Sequence, residues 1–153
     1  KLSAVEDDGG NIVPKIKISE NEEKITNPGF KKVYRIYSKN EDKAIADLVT
    51  LRDENLDADK PLEIFDPVFT WKKKKIKDYY AKELLVKIFD KGRLVYKNPD
   101  VSAIKKVVGE ETSKLWPETL RLENPHRYYV DLSKNLWDLK QHLLGKYSDT
   151  YDG

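Results

Sequence analysis

The sequence predicts an α+β fold, in which antiparallel β-hairpins form a β-rich sheet or sandwich and two C-terminal helices follow. Up to about residue 96, apolar and polar residues alternate in short runs separated by turn-forming residues, a pattern typical of strands. Beyond Pro99 the apolar residues recur with helical spacing. Strands that precede helices along a chain favour an antiparallel sheet with the helices packed against it.

The first predicted hairpin joins residues 2–6 to residues 12–18. The connecting segment 8–11 reads Asp-Gly-Gly-Asn, and such residues accept the positive φ angles that tight turns require. Pro14 cannot donate a hydrogen bond to a neighbouring strand. The second strand of this hairpin should therefore lie at the edge of its sheet.

The second predicted hairpin joins the β-branched and aromatic run 33–37 to residues 43–51. The charged and breaker-rich loop 52–61 follows and is the best internal boundary. We therefore predict two regions, a β-hairpin segment over 1–56 and a C-terminal α+β domain over 57–153. In the returning strand, Ile45, Val49 and Leu51 should share one face.

Three further strands are predicted before the helices. Residues 62–65 are a short apolar strand, and residues 69–80 carry aromatic side chains at both ends with lysines between them. A third hairpin is predicted to join residues 82–89 to residues 93–96. Gly92 stands where a three-residue turn requires a left-handed residue.

Two helices are predicted in the last third of the chain. The first should begin after Asp100, whose carboxylate can accept a free first-turn N–H, and should kink or break at Pro117. The second should begin near Asp131 or Ser133 and end at Gly145. Its apolar seam is formed by leucines at 4-3-4 spacing, which are Leu132, Leu136, Leu139 and Leu143.

Composition excludes several classes of partner and site. The 29 Lys and Arg residues nearly balance the 27 Asp and Glu residues, so the net charge of +2 predicts neither a nucleic-acid nor a membrane partner. Without Cys the chain has no disulfide or thiolate metal site, which agrees with a cytoplasmic location. Because the chain contains no Met, even at position 1, we expect it to be a piece of a longer protein.

The residue types that carry out catalysis occur here in unpromising contexts. His126 and His142 belong to no metal-ligand spacing, and we interpret both as structural or surface residues. The paired carboxylates Glu22-Glu23 and Glu110-Glu111 lie in polar segments that predict solvation. The sequence therefore predicts no catalytic residue and no metal site in this chain.

One segment resembles a binding surface. Trp71–Tyr80 combines four consecutive lysines with aromatic residues, which could hold a nucleic-acid backbone and stack bases. Successive residues of a strand point to opposite faces, however, so the lysines equally suit an exposed edge protected against aggregation. A free-standing module that binds nucleic acid or protein through this segment is thus one alternative. A regulatory domain for a partner protein or a nucleotide is another.

Five long blocks of the sequence resemble the C-terminal part of bacterial nicotinate phosphoribosyltransferase. The resemblance extends from about residue 1 to about residue 145, and several long blocks in the same order are more specific than a short motif. The blocks are PKIKISENEEKITNPGFKKVYRIY, KAIADLVTLRDE, PLEIFDPVFTWK, KELLVKIFDKGRLVY and ENPHRYYVDLSKNLWDLKQHLL.

The resemblance implies a type II phosphoribosyltransferase. Such an enzyme joins nicotinate to phosphoribosyl pyrophosphate and hydrolyses ATP alongside, with Mg²⁺, in an entry step to NAD. The full enzyme has an irregular α/β barrel and a β-rich second domain, and it works as a dimer. Its catalytic histidine and phosphate loop lie upstream of the resembling part, and His126 occupies a different context.

The resemblance therefore implies a structural piece that is inactive alone and binds no cofactor itself. Its partners would be the barrel domain of the same chain and a second subunit. The residues nearest the junction with the barrel are the only candidates for reaching the active site. They are Lys17, Ser19 and Lys24.

Overall fold

The computed structural model describes residues 2–69 and 71–148. A six-stranded mixed sheet with the strand order β6-β5-β10-β4-β3-β7 dominates these residues, and two helices and two small hairpins accompany it. The predicted α+β class, with antiparallel strands and two helices, is confirmed. The elements are β1 Ala4–Glu6, β2 Ile12–Pro14, β3 Lys31–Ser38, β4 Ala44–Leu51, β5 Leu62–Phe65, β6 Lys73–Ile76, β7 Tyr79–Glu83, β8 Phe89–Asp90, β9 Arg93–Leu94, α1 Val101–Ser113, β10 Val130–Ser133 and α2 Lys134–Ser148.

The sheet is curled so that its two edge strands approach each other. β6 ends at Ile76 and β7 begins at Tyr79, and three residues span at most about 11 Å. In a flat sheet of six strands the two edges would be about 24 Å apart. Ile76 and Tyr79 therefore share one core cluster with Ile36, Leu48 and Ile64 from the central strands. The sheet forms a partly closed barrel with this cluster inside.

The second predicted hairpin is confirmed and forms the middle of the sheet. β3 and β4 pair antiparallel from Lys31↔Leu51 to Tyr37↔Ala44, with a register shift between Ile36 and Tyr37. Along β4 the fully buried residues alternate with partly buried ones. Ile45, Val49 and Leu51 share the partly buried face, and the opposite face supplies the core. Strands from both predicted regions, 1–56 and 57–153, take part in this one sheet. The boundary between the two regions stays a prediction.

The first predicted hairpin forms, but it is shorter than expected. β1 and β2 pair from Ala4↔Pro14 to Glu6↔Ile12, and the Lys15 N–H still donates to the carbonyl of Ser3 at 2.9 Å. Pro14 faces Ala4 at a position between two hydrogen-bonded pairs, where the ladder needs no N–H from it. Gly10 has a φ of 78°, as the turn chemistry predicted.

The segment predicted to begin the last helix is a central strand. Val130–Ser133 forms β10, which pairs parallel with β4 and antiparallel with β5. Of the two predicted helix starts, Asp131 was therefore wrong, because Leu132 fits a strand as well as a helical seam, whereas the start near Ser133 is confirmed. Ser133 ends the strand and caps the helix, since its Oγ accepts a hydrogen bond from the Leu136 N–H at 3.3 Å.

Helix α2 packs on the sheet through the predicted leucine seam. Leu136 and Leu143 are buried, and Leu139 is partly buried. Trp137 stacks on Phe65 of β5, with the ring centroids 5.1 Å apart. The helix runs to Ser148, so Gly145 lies within it and does not end it as predicted.

The third predicted hairpin forms around its predicted turn, but its first strand is shorter than expected. Residues 79–83 form β7, which pairs with β3 in the main sheet. Residues 89–94 form the separate hairpin, which the Val95 N–H extends by donating to the carbonyl of Ile88 at 2.9 Å. Lys91 and Gly92 form a two-residue turn with φ angles of 47° and 77°, which is the geometry of a type I′ turn. Gly92 has the predicted left-handed conformation, but the turn is one residue shorter than expected.

Helix α1 begins as predicted, but it does not pack as a core helix. The Asp100 carboxylate accepts a hydrogen bond from the Ala103 N–H at 2.8 Å, and the helix ends at Ser113, before Pro117. None of its residues is buried. The sequence pattern thus predicted the start of this helix, placed its end about one turn too late, and left open what covers its apolar stripe.

Candidate functional site

A network of charged and phenolic side chains connects the last turn of α1 to the sheet. Glu111 of α1 accepts hydrogen bonds from the Tyr37 hydroxyl at 2.7 Å and from the Lys82 Nζ at 2.5 Å. Arg35 Nη1 lies 3.3 Å from the same Glu111 Oε2 that Tyr37 contacts. Neighbouring positions on β3 and β7 therefore present three donors to one carboxylate.

The network continues across β3 and β4. Arg35 pairs with Asp47 in two parallel hydrogen bonds, from Nε at 2.8 Å and from Nη2 at 3.1 Å. Such bidentate pairs are the strongest geometry for a guanidinium and a carboxylate. The Tyr128 hydroxyl donates to the same Asp47 at 3.0 Å, so it holds the segment before β10 against β4.

The pKa values of four groups in this network, Glu111, Tyr37, Arg35 and Tyr128, move away from neutrality. The bond from Lys82, and then that from Tyr37, lowers the pKa of Glu111. Burial, and then Glu111, raises the pKa of Tyr37 to about 12. The bond to Asp47 raises the pKa of Arg35, and burial raises that of Tyr128. Each group keeps its ordinary charge at pH 7, so the network binds elements together and is not poised to transfer protons.

Backbone and lysine contacts reinforce the same junction. Lys43 Nζ donates to the carbonyl of Ser113 at 2.7 Å, where α1 ends, and the Ala44 N–H donates to the carbonyl of Lys114 at 2.8 Å. Lys114 Nζ in turn donates to Asp42 and to the Tyr80 hydroxyl, both at 3.0 Å. The C-terminal end of α1 is therefore fixed on the sheet, whereas its body extends away.

A second polar group lies around the corner that follows β5. The Asp66 carboxylate accepts hydrogen bonds from the N–H groups of Val68 and Phe69, both at 2.9 Å. Lys140 of α2 is buried and donates to the carbonyl of Pro67 at 2.8 Å. Burial lowers the pKa of Lys140 and raises that of Asp131, which lies near Asp66. These contacts hold the 66–69 corner on α2.

The clefts between these elements are small or crossed by internal bonds. One cleft has a volume of about 440 Å³ and lies between residues 54–63 and β10. Tyr79 at its wall already donates to the carbonyl of Asp57 at 2.9 Å, and Ser133 donates to Glu54 at 2.7 Å. Among residues 2–69 and 71–148, no group of three or more His, Asp or Glu side chains is arranged to hold a metal ion.

The three junction candidates lie in the segment between β2 and β3. Lys17 and Lys24 are exposed and Ser19 is half-buried. The backbone of Lys17 exchanges hydrogen bonds with Thr26, and Ser19 Oγ accepts from the Asn21 N–H at 3.3 Å. These bonds shape the loop between β2 and β3. The contact of the three side chains with an active site stays a prediction.

The basic and aromatic segment Trp71–Tyr80 does not form a single stacking surface. Its lysines lie on and beside β6, which is an edge strand, as the alternative interpretation expected. Tyr79 is buried in the barrel, and Tyr80 stacks on Tyr37 with centroids 4.8 Å apart. Of the aromatic side chains in this segment, only Trp71 is largely exposed, so the geometry does not support base stacking along the segment.

The two histidines occupy exposed positions, as expected. The His126 N–H donates to the carbonyl of Glu118 at 2.9 Å, and His142 lies on the outer side of α2. The prediction that both carboxylates of the 110–111 pair are solvated was wrong for Glu111, which accepts hydrogen bonds from Tyr37 and Lys82. No local signal could identify it, since its partner Arg35 is 76 residues away along the chain.

Known proteins resemble this chain over most of its length. A family model described as the nicotinate phosphoribosyltransferase C-terminal domain matches residues 30–140. The nicotinate phosphoribosyltransferase of Bacillus subtilis is 44% identical over 144 residues, which are 94% of this chain and 29% of that relative. The one of Dictyostelium discoideum is 28% identical over 87% of this chain and 24% of its own length.

A solved structure shares the fold. The crystal structure of human nicotinic acid phosphoribosyltransferase superimposes with a TM-score of 0.70 and 24% identity. The superposition covers 77% of this chain and 23% of the human chain. The chain therefore spans less than a third of the relatives that it matches. In the part of the chain that the structure describes, no helix is long and apolar enough to cross a bilayer.

Proposed function

The chain belongs to the nicotinate phosphoribosyltransferase C-terminal domain family, and from this premise we propose that it serves as the structural C-terminal domain of such an enzyme. The identity of 44% over 94% of the chain carries this proposal. The enzyme would join nicotinate to phosphoribosyl pyrophosphate with hydrolysis of ATP, in the cytoplasm and as a step toward NAD. Within that enzyme, this chain would bind and stabilise the part that performs the chemistry.

The chemistry of this chain supports a structural role for it and a catalytic role for the upstream part of the enzyme. The network around Glu111 holds groups whose pKa values lie away from neutrality, so it supplies neither a general acid nor a general base at pH 7. We assign ATP and Mg²⁺ to the upstream barrel domain and expect this chain to be inactive alone. The barrel domain and a second subunit are its proposed partners.

An assay of three polypeptides tests the proposal. The first is this chain, the second is the part of the Bacillus subtilis relative that precedes the matched 29%, and the third is a fusion of the two. We expect the fusion to form nicotinate mononucleotide from nicotinate, phosphoribosyl pyrophosphate and ATP, and the chain alone to form none. Turnover by the chain alone would contradict its structural role. An upstream part as active as the fusion would show that the domain is dispensable.

A further inference from the structure

Residues 84–108 form an arm that has no core of its own. The arm begins at residue 84, directly after β7, and comprises the small β8–β9 hairpin and most of α1. Every residue from 85 to 110 is exposed except Tyr96, which is half-buried. The arm is anchored at one end by β7 in the sheet and at the other by the Glu111 network. Between these anchors a continuous stretch of chain extends away from the six-stranded sheet.

Many exposed side chains of the arm are large and apolar, of the types usually buried in a protein core. Phe89 and Leu94 are cross-strand partners on one face of the small hairpin, and they are 63% and 65% exposed. Along α1, Val101, Ile104 and Val108 follow helical spacing, and all three are exposed. A helix of 13 residues without buried side chains is marginal in water, because packing of the apolar face supplies most helix stability.

The chain exposes more surface to solvent than a compact monomer of its mass does. A monomeric protein of 17.8 kDa exposes about 8,000 Å². This chain exposes 11251 Å², an excess of more than about 3,000 Å². A standard protein interface covers about 800 Å² on each partner, and obligate interfaces cover more. The excess is larger than one partner's share of a standard interface, so the chain has surface to spare for one.

The charge of the arm restricts what can cover it. Residues 84–108 contain six Lys or Arg and two Asp, a net charge of +4 in a chain whose total is +2. A second copy docking through the same face would bring two such charges together, which opposes association. The complementary surface is apolar at its centre and acidic at its rim. The matched relatives each carry more than two thirds of their length outside the region shared with this chain, so a covering surface is available within one polypeptide.

Building on the proposed function, we propose that the arm of residues 84–108 docks onto the N-terminal part of the nicotinate phosphoribosyltransferase polypeptide. The occupant is the same chain's upstream region, which presents an apolar patch with acidic residues around it. Phe89 and Leu94 of the hairpin and Ile104 and Val108 of α1 are the buried centre of that interface. The lysines of the arm form its rim.

Thiol labelling tests this interface directly, because the chain contains no Cys. Ile104→Cys places one thiol in the apolar stripe of α1. Ser102→Cys is the matched control, because by helical spacing it lies on the opposite side of the same helix. Each variant is labelled with a maleimide, once in the 153-residue chain and once in the fusion behind the upstream part of the Bacillus subtilis relative. Mass spectrometry of the peptide that contains the introduced thiol gives its rate.

We expect the Ile104→Cys thiol to react at least about tenfold more slowly in the fusion than in the chain alone, because the interface must open before the reagent enters. The Ser102→Cys thiol should react at similar rates in both. Equal rates for the Ile104→Cys thiol would overturn the proposal. So would slowing in the chain alone that grows with its concentration, which identifies a second copy, or slowing by anionic vesicles, which identifies a membrane surface.

The same fusion separates this inference from the proposed function. An active fusion with a freely reactive Ile104→Cys thiol overturns the docking surface and leaves the proposed function standing. A protected thiol in an inactive fusion overturns the proposed function and leaves the docking surface standing. If the fusion is insoluble, the upstream part supplied as a separate polypeptide gives the same comparison.

Discussion

The Tyr37 hydroxyl donates a hydrogen bond of 2.7 Å to Glu111, and this contact joins residues that lie 74 positions apart. Tyr37 belongs to the central strand β3, whereas Glu111 belongs to the last turn of α1, which buries no residue of its own. The helix is therefore attached to the sheet by its end through polar contacts. Its apolar stripe stays free for a larger partner.

The first prediction concerns the stability of this junction. Glu111→Gln removes the charge that Lys82 and Arg35 face, while it keeps the shape of the side chain. We expect the free energy of unfolding to fall by about 1–2 kcal/mol, because hydrogen bonds to charged groups are stronger than neutral ones and the site is only partly exposed. Chemical denaturation followed by circular dichroism measures the change.

The neighbouring carboxylate provides the control for this substitution. Glu110 faces Lys106 at 3.9 Å in an exposed pair, and such pairs contribute little. Glu110→Gln should change the free energy of unfolding by less than about 0.5 kcal/mol. Equal effects of the two substitutions would mean that the network around Glu111 does not attach α1.

The second prediction concerns the pH dependence of the same contact. Lys82 and Tyr37 lower the pKa of Glu111 below its ordinary value of 4.5 in the folded chain. A carboxyl group with a lowered folded pKa stabilises the fold above the unfolded value, and this contribution is lost as the pH falls through the folded pKa. The stability difference between the natural chain and Glu111→Gln should therefore be constant near pH 7 and shrink below about pH 4.5. A difference that grows on acidification would contradict this assignment.

The third prediction concerns a buried carboxyl group with the opposite sign. Burial, and then the nearby Asp66, raises the pKa of Asp131. Its ionised form therefore destabilises the fold once the pH exceeds the ordinary value of 3.8. Asp131→Asn should raise the midpoint of urea unfolding at pH 7 and change it little at about pH 3, where both side chains are neutral.

An exposed aspartate serves as the comparison for this substitution. Asp8 lies in the first hairpin turn, and Asp8→Asn should leave the midpoint nearly unchanged at both pH values. A loss of stability for Asp131→Asn at pH 7 would mean that attraction from Lys74 and Arg127 outweighs the cost of burying the charge.

Elements defined by local signals could be predicted from the sequence. The β3–β4 hairpin, the Asp100 cap and the leucines of α2 each depend on residues within a few positions of one another. Short-range alternation, capping chemistry and helical spacing are therefore sufficient to recognise them. The family resemblance rested on long blocks of sequence and needed no knowledge of the fold.

Features that depend on distant pairing could not be predicted in the same way. β10 has four residues, and its place between β4 and β5 follows from pairing with residues 67 to 83 positions earlier in the chain. The closure of the sheet depends on Lys77 and Asp78, which resemble an ordinary hairpin turn although the strands on either side are not paired neighbours. The Arg35–Asp47–Glu111 network likewise forms only after the sheet and α1 are assembled.

The last prediction uses two glycines that stand in opposite environments. Gly29 precedes β3 with a φ of +82°, and an added Cβ would lie 2.9 Å from Leu51 Cδ2 and 3.8 Å from Leu139 Cδ2. Gly109 lies within α1, where an added Cβ would meet nothing within 4 Å. Gly29→Ala should lower the free energy of unfolding by more than about 1 kcal/mol, because the backbone would be strained and the contact between β4 and α2 displaced. Gly109→Ala should raise helix stability by about 0.5–1 kcal/mol, since alanine loses less backbone entropy in a helix. Thermal unfolding of both variants measures the pair, and helical circular dichroism should increase for Gly109→Ala alone. A neutral Gly29→Ala would show that α2 can shift on the sheet without cost, and a destabilising Gly109→Ala would mean that α1 is not the free-standing helix described above.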